Sequence, residues 1–443
     1  MDRGTRGYHL EQAARYRAEL GTSTPELAAR AAGYLGTAGT LALERVDHHA
    51  ARNLLNRAVQ LVADDRAARA RLLPQLAEAA YGTGDLESCE RLLAEAIVLG
   101  TETGETAAML RARLFSAYVR GHTGSGGLLG LIDELDLLLV EIASAREDDL
   151  AARAFHTRGW FCLWLGRADA GLADQLRALE HAERATSPKL RDDIAGGVAA
   201  AMRWGSTSWH ELERFLDAGA QTGAVRSRNH LGSDVFLHGP GAAAARGDFE
   251  SSRAQYAEGL RLLRDRGETF FIHTFAMNIA AAELRAGELA TAERILHDAW
   301  LGLEAAGERG FRSTVGAMLA ETLAQLGRPD EAETVVRASE ELTAEDDAAS
   351  VSLVHRAWAR IAFARDQYDV AASHARQALR VLDATDMLEE TAETQLLLGE
   401  ALAAAGSTNE AALAFRTAVE LAEAKGSIVL AESARAALAG LAS

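Results

Sequence analysis

Small and apolar residues recur along the chain at spacings that belong to one face of a helix, and the pattern itself then repeats. After the turn Gly84-Asp85 come a small residue at +5 (Cys89), a larger apolar one at +9 (Leu93) and an alanine at +12 (Ala96), steps that stay on one helical face. The same offsets recur after Gly247-Asp248 (Ser252, Tyr256, Gly259), Gly287-Glu288 (Ala292, Leu296, Ala299), Gly327-Arg328 (Ala332, Val336, Ser339) and Gly406-Ser407 (Ala411, Phe415, Ala418). Weaker copies turn on Val46-Asp47 (Ala51, Leu55, Ala58), Gly166-Arg167 (Gly171, Gln175, Ala178) and Asp366-Gln367 (Ala371, Ala375, Ala378).

The later turns, at 247, 287, 327, 366 and 406, are 39 or 40 residues apart, and the 82 residues from 84 to 166 make two such steps. The missing members fall near Gly126 and Gly205, where the pattern is degenerate. Upstream of the turns a small residue stands at −7: Gly39, Ala77, Gly159, Ala280, Ala320, Ala359 and Gly399. Small residues at −7 and +5 let two antiparallel helices approach closely, with +9 and +12 left to pack on the next unit. The Gly supplies the left-handed residue that ends a helix, and Asp, Glu or Ser after it suits the start of the next. The prediction is an all-α, right-handed superhelix of about ten antiparallel helix pairs over 28–424, with a linker helix at 1–27 and a capping helix at 425–443.

Composition supports this and removes several functions. A chain of 443 residues with 48% apolar residues, 6% aromatic residues and 5 prolines suits an Ala-rich helical array better than a sandwich or barrel. Lys189 and Lys425 are the only lysines, so no phosphate-binding loop ending in Gly-Lys-Ser/Thr exists. A net charge of −18 with no segregated basic patch argues against nucleic acid. Cys89 and Cys162 lie far apart, which offers neither a disulfide framework nor a zinc site. With no long apolar run and a polar start, a cytoplasmic protein without membrane contact is expected.

The offsets resemble those of the tetratricopeptide repeats, although the family's Trp and Tyr of the first helix and its closing Pro are mostly missing. A period near 40 resembles the long repeats behind the ATPase module of bacterial ATP-dependent LuxR-type and adenylate-cyclase-like regulators. The stretch Gly7 to Gly21 (GYHLEQAARYRAELG) is similar to the segment joining those two parts. No Walker loop, acidic Mg²⁺ motif, cyclase or helix-turn-helix accompanies it, so the resemblance implies only the sensor or scaffold role. The alternative is the C-terminal part of a longer nucleotide-driven switch.

Little in the chain speaks for catalysis, and no enzyme activity, metal or cofactor is expected. His48 and His49 are adjacent and point about 100° apart on a helix, which suits an exposed helix start better than a shared ion. The glycine-rich run Gly121 to Gly127 lacks a Lys and reads as a loop, and Gly239-Pro240-Gly241 as a break in a first helix. If the first helices line the concave surface, positions −13, −10, −6, −3 and −2 face inward. In the fourth unit these are Arg153, His156, Trp160, Leu163 and Trp164, and in the next two they include Met202, Arg203, Asp234 and Leu237. Arg, His and two Trp on one face suit a binding surface for a protein, a peptide or a small effector. The competing reading packs both tryptophans between neighbouring helices.

Overall fold

The computed structural model describes residues 3–441 except 23, 124–125, 186, 223–237 and 268. Every regular element among the described residues is a helix. The first half comprises α1 (Arg3–Glu19), α2 (Pro25–Leu43), α3 (His48–Leu61), α4 (Arg66–Gly82), α5 (Leu86–Thr103), α6 (Thr106–Thr123), α7 (Leu128–Ala145), α8 (Asp148–Trp164), α9 (Ala168–Ala182), α10 (Pro188–Trp204) and α11 (Trp209–Thr222). The second half comprises α12 (Pro240–Ala245), α13 (Phe249–Arg266), α14 (Thr269–Thr274), α15 (Ala276–Arg285), α16 (Leu289–Ala305), α17 (Gly310–Gln325), α18 (Pro329–Leu342), α19 (Ala348–Ala364), α20 (Tyr368–Leu382), α21 (Leu388–Ala404), α22 (Thr408–Lys425) and α23 (Ile428–Gly440).

The turns that set the period are left-handed. Gly84, Gly166, Gly247, Gly287, Gly327 and Gly406 have φ between 74° and 88°. Val46 and Asp366, the non-glycine turns of the weaker copies, adopt φ of 59° and 58°. The carbonyls left at the end of the first helix are closed by paired bonds. At Gly84 these are Gly84 N–H to Tyr81 O (2.8 Å) and Asp85 N–H to Ala80 O (3.0 Å). Asp47, Asp85 and Asp248 then accept from the backbone three residues on and start the second helix, whereas Glu288 and Ser407 make no such bond.

Close approach within a unit comes from the −7 residue, with one change to the expected partner. A Cβ on Gly39 would lie 2.6 Å from Leu55, one on Gly159 2.7 Å from Gln175, and one on Gly399 2.4 Å from Phe415. Those partners are the +9 residues of the same unit. The larger +9 side chain therefore fills the notch above the −7 glycine instead of packing on the next unit alone. The +5 residue does meet −7, since a Cβ on Gly171 would stand 2.7 Å from the Gly159 carbonyl.

The joints near Gly126 and Gly205 depart from the pattern. Gly205 is extended, with φ −90° and ψ −159°. Gly121 belongs to α6 and not to a loop, and a Cβ there would meet the Phe161 ring at 2.3 Å. Pro240 begins α12, where its missing N–H costs nothing. The stretch Gly7 to Gly21 forms most of α1, which packs on α2 and pairs Glu11 with Arg57 of α3.

The superhelix winds until its successive turns touch. Asp386 accepts the Ala168 and Asp169 amides (2.7 and 2.8 Å), capping α9 from 217–218 residues away. The Lys425 ammonium donates to the carbonyls of Met202, Gly205 and Thr207 at 2.7–2.9 Å, closing the end of α10 from the following turn. One superhelical turn thus takes between five and six units of about 40 residues, and the first helices of both turns surround one axis.

Candidate functional site

A cavity of about 520 Å³ lies on that axis, walled mainly by the first helix of each pair. The volume falls within the ~300–1,000 Å³ of small-ligand sites. Arg153, His156, Trp160, Leu163 and Trp164 of α8 all line it. So does Arg203, whereas Met202 does not; it packs beside Trp209 and Leu212. The cause is register. Because Gly205 is not the left-handed turn residue, the inward offsets of this unit count from 206, which turns Asp193, Arg203 and Trp204 to the cavity and Met202 away. Asp234 and Leu237 lie outside the described residues.

The inward offsets reach further than the three projected units. They select Pro74, Glu78, Tyr81 and Gly82 in α4, the whole set Thr274, Met277, Ala281, Leu284 and Arg285 in α14–α15, Arg356 and Arg360 in α19, and Glu393 and Leu396 in α21, all of which line the cavity. The signal for these residues was in the sequence, in units whose inward faces carry no tryptophan.

The α6–α8 wall is aromatic. Trp164 stands 6.3 Å from Trp160 between ring centroids, 4.7 Å from His122 and 6.1 Å from Phe311 of α17 across the cavity. It also touches the α8–α6 packing, since a Cβ on Gly121 would lie 3.2 Å from it. Each ring is half-buried in the wall and presents its remainder to the cavity.

His156 is fully committed. Its Nδ1 is 2.7 Å from Gln175 Oε1, the Trp160 indole N–H donates to its Nε2 at 3.3 Å, and Gln175 Nε2 donates back to the His156 carbonyl at 3.1 Å. Only the tautomer with hydrogen on Nδ1 satisfies this set. Burial lowers the His156 pKa, against the opposing hydrogen bond to Gln175. The residue orients Trp160 and offers no free nitrogen to a ligand.

Charge on the cavity is paired in two clusters. At one end Arg111 meets Glu78 at 3.1 Å, Arg153 meets Asp149 at 3.0 Å and Lys189 meets Asp193 at 2.5 Å. Burial would raise Glu78, but Arg153, Arg111 and Lys189 outweigh it and hold the carboxyl at about 2. His48 faces this cluster, buried under Gly82 and not exposed as expected, and is lowered to about 4 by burial and by Lys189. His49 points to solvent. At the other end Arg285 meets Glu389 (2.7 Å), Arg356 bridges Glu321 (3.2 Å) and Glu393 (2.9 Å), and Arg360 meets Glu400 (2.5 Å). Among the described residues no group of three or more His, Cys, Asp or Glu could hold a metal, and both cysteines are buried thiols.

The architecture has known relatives in shape. A Rap protein complexed with competence and sporulation factor matches with a TM-score of 0.58 at 14% identity, over 83% of this chain and 99% of that one. The fold is a tetratricopeptide-like helical-repeat solenoid. A human IFIT1 dimer with m7Gppp-AAAA aligns over 94% of each chain at 12% identity with a TM-score of 0.45. No family model matches the chain, and no curated protein does. No described helix is long and apolar enough to cross a membrane.

Proposed function

We propose that the chain is a non-catalytic receptor that takes a short peptide or an organic effector of similar size into its central cavity, as the sensing or scaffolding part of a bacterial regulator. The observation that carries this reading is the aromatic-lined and arginine-lined space of about 520 Å³ at the axis, too small for a folded domain and of the size of a few residues of peptide. The Rap structure of similar fold, solved with competence and sporulation factor, supports a ligand held by such a solenoid. The regulatory setting rests on the resemblance of the repeats and of residues 7–21 to those of bacterial ATP-dependent regulators. His156 is hydrogen-bonded through both nitrogens and offers no base to a reacting group.

The test is a thermal-shift screen of short peptides and small organic compounds on the purified chain and on Ala281→Trp, a substitution that fills the cavity from α15. A ligand at a hundred times its Kd should add about 2.7 kcal/mol of stability. Hits that stabilise the wild type and not Ala281→Trp, and that are recovered unchanged, support the reading. Hits indifferent to the plug, or hits that are chemically converted, sink it.

A further inference from the structure

Seven cationic side chains line the cavity, and six of them have an acidic partner within 3.2 Å. The exception is Arg203. It is 5% exposed, makes no ion pair and no hydrogen bond among the described residues, and its Nη1 is enclosed without a partner. Its guanidinium carbon lies 4.8 Å from the Trp204 ring, and Tyr256, Glu389 and Glu390 favour its charge without forming an ion pair among the described residues. Burial pulls its pKa down from the ordinary value. Leaving a charge buried and uncompensated costs several kcal/mol, so a fold that keeps one at the wall of a ligand-sized cavity is suited to a counter-ion brought by the ligand.

The surroundings narrow the chemistry of that counter-ion. His238 is 3% exposed, lines the same space and has an unpartnered Nε2, while its Nδ1 lies 3.5 Å from the Asn278 amide nitrogen. With Nδ1 accepting from that amide, Nε2 carries the hydrogen and is a second donor. Burial and the Arg203 charge keep this imidazole neutral. Glu390 also lines the cavity with Oε2 unpartnered; burial and then Glu389 and Glu393 raise its pKa, which favours a neutral carboxyl that does not neutralise Arg203. Apolar walls adjoin these donors. The His238 ring is 6.5 Å from Trp160 and 5.6 Å from Phe275.

We propose that Arg203 receives a carboxylate of the ligand, with the ligand's apolar or aromatic body lying along Trp160, Trp204 and Phe275. The inference rests on the receptor reading of the cavity. One unpaired cation balances one negative charge, and the planar guanidinium fork matches a carboxylate in two parallel bonds. A phosphate dianion would leave an excess negative charge beside the ionised Glu389.

The test compares N-acetyl-phenylalanylphenylalanine as the free acid and as its C-terminal amide, by calorimetry on the whole chain and on Arg203→Met. The acid should bind the wild type at least tenfold more tightly than the amide, and the ratio should fall to near one in the variant. Inorganic phosphate should not displace the acid. A variant that fails to fold leaves the wild-type ratio as the deciding measurement. Equal binding of acid and amide by the wild type, or a ratio unchanged in Arg203→Met, overturns the assignment and leaves the receptor reading standing. Displacement by millimolar phosphate transfers the site to a phosphate ligand and overturns the carboxylate. Binding of neither compound overturns this assignment together with the receptor reading.

Discussion

Two walls of one cavity differ in how they hold a buried arginine. On the wall of α17, α19 and α21, Arg356 sits between Glu321 and Glu393, and Arg360 reaches Glu321 (3.7 Å) and Glu400. On the wall of α8 and α10, Arg153 and Lys189 are paired as well, but beside the aromatic rings Arg203 has no ion pair among the described residues. A saturated charge network locks neighbouring helices to each other and has little left for a ligand. An aromatic surface beside a lone cation is stable only at a cost that a ligand can remove. The same residue type thus serves cohesion on one side and, in the proposal above, recognition on the other.

The largest expected effect breaks the saturated side. Replacing Arg356 by Leu leaves Glu321 (6% exposed) and Glu393 without their shared partner, and removing one member of a buried pair costs about 3–5 kcal/mol. Chemical denaturation of Arg356→Leu should show a loss of that order, and Arg356→Leu combined with Glu321→Leu should recover part of it. A loss below about 1 kcal/mol would mean that the network is as weak as an exposed pair, and the contrast between the walls would fail.

A second test lies on the aromatic side and depends on pH. His122 is 7% exposed among Tyr118, Trp164 and Phe311, neither of its nitrogens has a partner, and burial alone lowers its pKa to about 3. In the unfolded chain the same imidazole titrates near its ordinary 6.5. Its folded value is the lower one, so between these two values the unfolded state binds the extra proton. The stability that neutral His122 permits is complete above pH 6.5 and is lost as pH falls toward 3. His122→Phe removes that linkage. Its stability relative to the wild type should grow by about 3 kcal/mol between pH 7 and pH 4, at 1.36 kcal/mol per pH unit. A constant difference over that range would place a compensating charge beside His122.

The sequence pattern reached the walls and only part of what they enclose. The +5, +9 and +12 positions of all eight copies are buried, from Ala51 to Ala418, because these offsets follow from helix geometry and the close approach of two helices. The left-handed turns were legible even where glycine is replaced, at Val46 and Asp366, because the period carries the register across them. Legibility ended where the period slips. At Gly205 an extended glycine passes for a left-handed one, and the error of one residue is about 100° of helix rotation, enough to name Met202 in place of Trp204. The winding was not legible either. Contacts such as Asp386 to the α9 amides span 217–218 residues and depend on small rotations summed over five units, which no local spacing encodes. Because that winding closes the cavity, the pairing of Arg356 and the isolation of Arg203 became visible only in three dimensions.

The smallest expected effect tests whether Trp160 belongs to the cavity or to the wall. Its indole N–H holds His156 Nε2, and Gln175 holds the other side of the ring, so the three side chains fix one tautomer and one ring orientation. Phenylalanine keeps an aromatic face toward the cavity and removes only the donor and part of the ring. The orphaned acceptor then costs about 1 kcal/mol, the usual net worth of a hydrogen bond. Trp160→Phe should lose no more than that in denaturation, while nitrogen NMR of His156 shows Nε2 released from its donor and Nδ1 still protonated against Gln175. A core tryptophan behaves otherwise, since deleting well-packed ring volume costs several times more through the void it leaves. A loss of about 3 kcal/mol with the His156 signals unchanged would move Trp160 from the recognition side of the comparison to the cohesive one, and Trp204 and Phe275 would remain as the aromatic surface next to Arg203.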